Sequence, residues 1–517
     1  MLSTPRITVA AAPACGGAPV TVVGSGFALG EQVTIALNGA AVATTPSVVT
    51  AGADGAFTAT FQASDSFVDG SNAVSAIGAT SRVPALATLQ CALPVAARFY
   101  FAGGQETNSV HLSLAVLNPD HHRATVRVTI YTTAGRVFHE TLLVPATTQQ
   151  TVRLDGFAPV HGDFGLSLTA DAHVAAQLLL DRPGRDGDSI LGNTSLGTRW
   201  YLAEGYTNLT FHETIALLNP GRRTARVTLL LRPFALHEHL HGGARTVVVA
   251  VAPHSERVVD INPLRPMRSL SVLATSDRAI VVERSLRFSL HGRGGDYGLT
   301  ARAGTNVAAT SWLLAEGSTL NGFETFLTIL NPNERPARVT ARFYKGSGGV
   351  IGQRTIVMAP LSRANIRLND VVRASGVAST LSSDAPIVVE RPEYFGSPNA
   401  ARIAGADVFG RNGVAPRWSF PGGETGGLRE FLLFYNPSAA AIPVNVTLYG
   451  SDGRVRTRRV TLPAGQRFTL DVGQTFRGLA TDHGLTVQSL DGQGFVAEQS
   501  VFAPDHTTLY STQGLAQ

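Results

Sequence analysis

The strongest constraint on this chain is a spaced pair of motifs that it carries four times. Trp200-Tyr-Leu-Ala-Glu-Gly205 is followed by Asn219-Pro220, Trp312-Leu-Leu-Ala-Glu-Gly317 by Asn331-Pro332, and Trp418-Ser-Phe-Pro-Gly-Gly423 by Asn436-Pro437. The earliest copy, Phe99-Tyr-Phe-Ala-Gly-Gly104 with Asn118-Pro119, opens on Phe. The leading aromatics at 99, 200, 312 and 418 set a repeat of about a hundred residues. That is too long for one propeller blade of ~45 residues, although two blades per repeat would fit it.

Within each copy the order of elements is fixed. The aromatic-led strand comes first, then an apolar strand ending in Asn-Pro. An alternating strand follows, as in Ala225-Arg-Val-Thr-Leu-Leu-Leu231 or Ala337-Arg-Val-Thr-Ala-Arg-Phe343. Another strand ends at Pro145, Pro253, Pro360 or Pro463, and the copy closes on an apolar stretch such as Val281-Val-Glu-Arg284, Val388-Val-Glu-Arg391 or Val496-Ala-Glu-Gln499. Apolar residues every second position mark half-buried strands, and about seven of them per copy give the size and rhythm of a β-sandwich.

The segment before the repeats also reads as strands. Ile7-Thr-Val9, Val20-Thr-Val-Val23, Val33-Thr-Ile-Ala-Leu37, Ala56-Phe-Thr-Ala-Thr-Phe61 and Ala73-Val-Ser-Ala-Ile77 are separated by Asn38-Gly39, Asp54-Gly55 and Asp69-Gly70 turns. The two cysteines, Cys15 and Cys91, bracket this segment. A disulfide between them would tie its first strand to its last and imply an oxidising compartment, whereas two buried free thiols are the alternative.

Composition narrows the function classes. The hydrophobic content of 44% is too high for general disorder. Lys345 is the single lysine, so the basic residues are almost all Arg and are spread along the chain. Nucleic-acid binding favours a concentrated basic stripe, so no nucleic-acid partner is expected. No apolar run approaches the ~18 residues of a membrane-spanning helix, so no transmembrane segment is expected either. The short stretch Ile7 to Ala14 after Met1 to Arg6 is not expected to act as a lipoprotein signal.

Two resemblances follow from these residues. Val20-Thr-Val-Val-Gly-Ser-Gly-Phe-Ala-Leu-Gly-Glu-Gln-Val33 resembles the opening of Ig-like modules of bacterial surface proteins. The pattern Trp-(Tyr/Leu)-Leu-Ala-Glu-Gly, Leu-Asn-Pro, Ala-Arg-Val-Thr and Val-Val-Glu-Arg resembles a tandem repeat of large secreted bacterial proteins, a domain of unknown function. The match is fullest in the second and third copies. The first lacks both Trp and Glu, and the fourth reads Pro421-Gly-Gly423. The resemblance implies an extracellular or cell-surface habit and no chemistry.

The candidate sites are weak in sequence. Exposed indoles could stack sugars, but Phe99, Trp200, Trp312 and Trp418 each follow a linker and are expected to pack between neighbouring domains. Glu204, Glu316, Glu283 and Glu390 have no spacing that pairs them as a glycosidase would, and ion pairing or turn capping is expected. His237-Glu-His-Leu-His241 could converge on a metal if it lay in one strand, yet it reads as a loop extension of the second copy. Asp181-Arg-Pro-Gly-Arg-Asp-Gly-Asp188 misses calcium-loop spacing and reads as a turn. Arg454, Arg456 and Arg458, with Arg459 beside them, form a basic stripe or a charge-protected edge.

These readings predict an all-β protein: a linear array of Ig-like β-sandwich domains, with an Ig-like module over 1–94 and repeats over 95–197, 198–309, 310–415 and 416–517. The expected function is non-catalytic, as an extracellular or cell-surface stalk, surface-layer or filament subunit. Self-association or other surface proteins are the expected partners, with recognition of cell-wall or extracellular polysaccharide as the alternative. No metal or cofactor is expected.

Overall fold

The computed structural model describes the chain except residues 1–3, 11–18, 38, 63–69, 92–95, 183–185, 234–242, 290–297, 347, 396–403, 425–426, 479–481 and 504–508. The described residues are nearly all strand and turn, an array of Ig-like sandwiches. They divide into two compact units. One holds Met1–Ala96 with two short loop segments, and the other holds the rest, from Ala97 to Gln517.

In the first unit, strands Arg6–Ala10, Val20–Ser25, Phe57–Phe61 and Thr44–Thr45 make one sheet. Gln32–Leu37, Gly70–Gly78 and Pro84–Cys91, with two short strands, make the other. Alternation drives the fold: Val20, Val22, Ile35, Leu37, Phe61 and Val74 point inward and are buried, and their sequence neighbours face out. Cys91 ends its strand, but Cys15 lies outside the described residues, as does the side chain of Cys91, so the expected disulfide is not described.

In the second unit every repeat is a two-sheet sandwich with one plan. In the fourth, Val455–Leu462, Ile442–Gly450, Asp482–Ser489 and Arg417–Glu424 lie side by side, opposite Arg467–Asp471, Arg429–Tyr435, Val496–Phe502 and Leu509–Gln513. The first repeat is built likewise. In the second and third, one long strand, Arg268–Phe288 or Ala378–Phe395, runs through both sheets and joins them.

The Asn of each Asn-Pro pair explains why that dipeptide recurs. Asn118, Asn219, Asn331 and Asn436 are fully buried at the end of the apolar strand. The Asn219 amide donates to the carbonyls of Arg223, Val251 and Ala252 at 2.8, 3.1 and 3.0 Å and accepts from Gly221 N at 3.0 Å. Asn436 makes the same set with Ala440, Leu462, Pro463 and Ser438. A buried amide saturated in this way pins the loop after one strand to the far end of the next hairpin, and Ala in its place would leave several carbonyls unsatisfied.

The path of the repeats is not a line. The strands Asp188–Leu191, Gly298–Ala303, Ala404–Phe409 and Leu509–Gln513, one from each repeat, meet at a common centre, each touching the next and the last touching the first. Gly422 N of the fourth repeat donates to Gln177 Oε1 of the first at 3.3 Å, and Gly484 backs onto Leu117. The linear run expected from the sequence is therefore corrected to a closed ring of four sandwiches within residues 97–517. The physical reason lies at the ends: an open string would keep the seams between consecutive repeats but would expose Leu117 and Gln177 of the first repeat, which the fourth covers, and would part Arg302 from Ser511.

Candidate functional site

The polar motif residues converge on the seams between repeats, whereas the aromatic fills the core of its own sandwich, with Arg411 of the third repeat over the Trp418 ring at 5.1 Å across one seam. Trp200, Trp312 and Trp418 are buried in the cores of their own sandwiches. Each indole N–H donates to two carbonyls, those of Gly197 and Ile280 for Trp200, Ala309 and Ile387 for Trp312, and Ala415 and Phe495 for Trp418, all at 2.9–3.1 Å. Gly304, Gly410 and Gly514 lie against the three rings, and Gly192 lies against Phe99. The sequence reading places these aromatics between domains, whereas the structure places their rings inside their own sandwiches, in touch with the neighbouring repeat through Arg411 at Trp418 and through the shared cluster around Trp200. Apolar contact across the seam comes from side chains beside them, such as Tyr100 and Ala102 of the first repeat, which join the core around Trp200. Fully buried indoles also offer no stacking face to a sugar.

The polar half of the motif does join repeats. Glu390 of the third repeat accepts from Ala203 N of the second at 2.5 Å, and Glu498 of the fourth accepts from Ala315 N of the third at 2.7 Å. Glu283 of the second accepts from Gly103 N of the first at 2.5 Å. In the first repeat Gln177 fills this position and binds Gly422 N, because Pro421 has no N–H to offer.

The neighbouring Arg faces the other way, as expected for adjacent residues of a strand. Arg284 reaches forward to Glu390 at 2.9 Å and to Asp407, and Arg391 reaches forward to Glu498 at 2.7 Å. A second layer repeats the idea. Arg363 of the third repeat meets Glu204 of the second at 2.6 Å and also donates to the carbonyls of Gly205 and Leu270 at 2.6 and 2.7 Å. Arg467 of the fourth repeat meets Glu316 of the third in the same way.

These carboxyls sit in a low-dielectric interior, and their ionisation shifts accordingly. Burial, reinforced by Glu204, pushes Glu213 up to about 8 against the pull of Arg284 and Arg363. Burial likewise carries Glu283, Asp188 and Glu393 up to about 7. Burial also raises Glu390, with Asp407 beside it adding to the effect, whereas Arg284 stays charged because its carboxylate neighbours outweigh its own desolvation. Two guanidiniums, Arg284 and Arg363, face Glu204, Glu213, Glu390 and Asp407.

The ring centre is polar as well. Asp188 Oδ2 accepts from Ala301 N at 2.6 Å, and Asp186 Oδ2 from Gly405 N at 2.9 Å. Arg302 donates to Ser189 O at 3.1 Å and Ser511 O at 2.9 Å, joining three repeats. The Asp181–Asp188 stretch, read as a turn, thus supplies buried anchors, with residues 183–185 outside the described residues. A hollow of about 220 Å³ lies beside it, lined by residues from all four repeats.

Other candidates are placed as follows. His237–His241 lies outside the described residues. Arg456, Arg458 and Arg459 lie on the edge strand Val455–Leu462, largely exposed, with Arg454 just before it. Sequence reading missed a further cluster, in which the ligand atoms of Glu106, His111 and Asp155 lie within 4.8 Å of one another. Each already has a protein partner: His111 Nδ1 sits 2.8 Å from Glu106, and Asp155 pairs with Arg153 at 2.6 Å.

Residues 42–182 match the model of a family of unknown function, DUF5719. That match runs across the junction between the first module and the first repeat. No curated protein matches the chain. Among solved structures, the chain is similar to a tetra-tandem repeat from the extending region of a large adhesion protein, at 13% identity and TM-score 0.19 over 79% of this chain and 99% of that one. Thermotoga maritima 1070 is similar at 17% identity and TM-score 0.19 over 21% of this chain and 93% of its own. The Anabaena sensory rhodopsin transducer is similar at 24% identity and TM-score 0.15 over 16% and 96%. Likenesses this slight carry no argument about function.

Proposed function

We propose that this chain is a non-catalytic structural or adhesive protein of the cell surface or extracellular space, in which a closed ring of four sandwiches acts as a rigid platform. The observation that supports this reading is the engagement of the motif carboxylates. Glu204, Glu316, Glu390 and Glu498 are each held by an Arg of an adjoining repeat, which engages them in ion pairs across the seams. The motif that repeats is thus a joint.

The periphery suits contact with other proteins. Val137–Val144, Arg245–Val251, Val350–Met358 and Val455–Leu462 each end a sheet, with Val248, Val357 and Val455 among the exposed apolar side chains. Edge strands of this kind accept a further strand from a partner or a second copy. The resemblance of the motifs to tandem repeats of secreted bacterial proteins agrees with a surface location. Among the described residues no helix is long and apolar enough to cross a membrane.

Negative-stain imaging of the purified chain, combined with retention on cell-wall polysaccharide, tests the reading. Ordered assemblies or protein-mediated attachment without glycan retention are expected. Monomers held by polysaccharide would replace it with a carbohydrate-recognition role.

A further inference from the structure

The seam between the first and second repeats departs from the others. Arg363 and Arg467 follow the Ser362 and Gln466 positions on the strand that pairs with the Asn-Pro strand, and the same position in the second repeat is Glu256, opposite Leu218. The facing motif position, Glu204 or Glu316 elsewhere, is Gly103 in the first repeat. Both halves of the Arg–Glu pair are therefore replaced. A seam that elsewhere encloses a guanidinium here encloses a carboxyl and a space.

That space is a cavity of about 170 Å³ lined by Gly103, Gly104, Asp163, Thr214, Glu256 and Arg287 among others. Glu256 is 2% exposed, and neither of its oxygens has a hydrogen-bond partner among the described residues. Glu283, on the same side, has one oxygen on Gly103 N and the other unpartnered. Arg287 does not neutralise Glu256, since its guanidinium donates to Gln105, whose amide in turn binds Asp163 at 2.6 Å. Burial, with Asp163 and Glu283 nearby, pushes the Glu256 carboxyl well above the usual range.

We propose that this cavity is a binding site for a small organic cation, a guanidinium or primary ammonium, which takes the place that the Arg363 and Arg467 guanidiniums fill at the neighbouring seams. Glu256 is the charged contact, with Asp163 as a further acceptor. Gly104 stands where Gly205 offers its carbonyl to Arg363. A buried carboxyl without a partner is costly, and a bound cation both satisfies Glu256 and lets it ionise.

The test is titration calorimetry of the full chain with agmatine, with an uncharged urea analogue of similar length and with calcium chloride, each at matched ionic strength. One agmatine per chain is expected to bind, with no heat from the urea analogue. E256Q, which mimics the protonated side chain, is expected to melt close to the parent and to lose agmatine binding by at least roughly tenfold. If E256Q does not fold, D163N carries the comparison, with an expected weakening of several-fold. Absence of agmatine binding, equal binding by the variant, or binding of calcium in preference to agmatine would each overturn the proposal.

Discussion

Arg391 in the third repeat and Glu498 in the fourth hold each other at 2.7 Å with neither side chain reaching solvent. The pair shows how the ring coheres. A charge removed from water must find its opposite, and here the opposite belongs to the next repeat.

Removing one member strands the other. R391M is expected to cost about 3–5 kcal/mol of stability, and the double change R391M/E498L considerably less, because the buried charge is then gone from both sides. Denaturant unfolding of the two singles and the double gives the coupling between third and fourth repeats. A double variant as unstable as R391M would show that packing, not the pair, holds this seam.

Stability should fall as pH rises from about 4.5 to about 8. Burial holds Glu213 up to about 8, and Glu283 and Glu393 up to about 7, above the 4.5 of an unfolded Glu. The folded chain therefore keeps protons that the unfolded chain has released. The associated stability is fully present below the unfolded value and is lost as pH rises through about 7–8, with Glu213 alone linked to ~5 kcal/mol between those limits. Melting temperatures across this window are expected to decline, and E213Q is expected to flatten the decline.

The indoles should behave as core residues. Emission from the folded chain is expected to be blue-shifted and poorly quenched by acrylamide, since all three rings are buried. W312A is expected to cost about 3–5 kcal/mol. W312F should cost less, because Phe99 occupies the same place in the first repeat, although it loses the bonds to Ala309 and Ile387.

The glycine behind each ring is a steric requirement. A Cβ at Gly514 would lie 2.7 Å from Phe420 and 3.0 Å from Trp418, and one at Gly410 would lie 3.0 Å from Trp312. G514A and G410A are each expected to cost about 1–3 kcal/mol in a thermal melt.

Closure of the ring can be tested where the ends meet. A Cβ at Gly484 would come within 2.9 Å of Leu117 across the seam between fourth and first repeats. G484L is expected to destabilise the chain and to enlarge its radius of gyration in solution scattering by forcing that seam apart. An unchanged radius with unchanged stability would show that the first and fourth repeats do not meet.

Much of the local structure is legible in the chain. Period-two runs such as Val20–Val23 and Ala337–Phe343 mark strands because alternate residues of a strand share a face. The opposite facing of Glu283 and Arg284, and of Glu390 and Arg391, follows from the same geometry. The seam partners were not legible: Glu390 and Ala203, or Arg302 and Ser511, lie far apart in sequence, and no local pattern links them.

The sequence alone determined the strands and the fourfold repetition, since each depends on residues close in the chain or on a periodicity of two, whereas the Asn pin reaches carbonyls such as Val251 and Ala252 that only the fold brings near. Only the tertiary structure decided that Trp200 belongs inside its own sandwich and that Glu204 belongs to the joint. It alone decided that the four repeats close, because closure rests on contacts far apart in the chain, Gln177 with Gly422 and Leu117 with Gly484. Substitutions at single seam positions, such as Gly103 and Glu256, have meaning only once the partner across the seam is known.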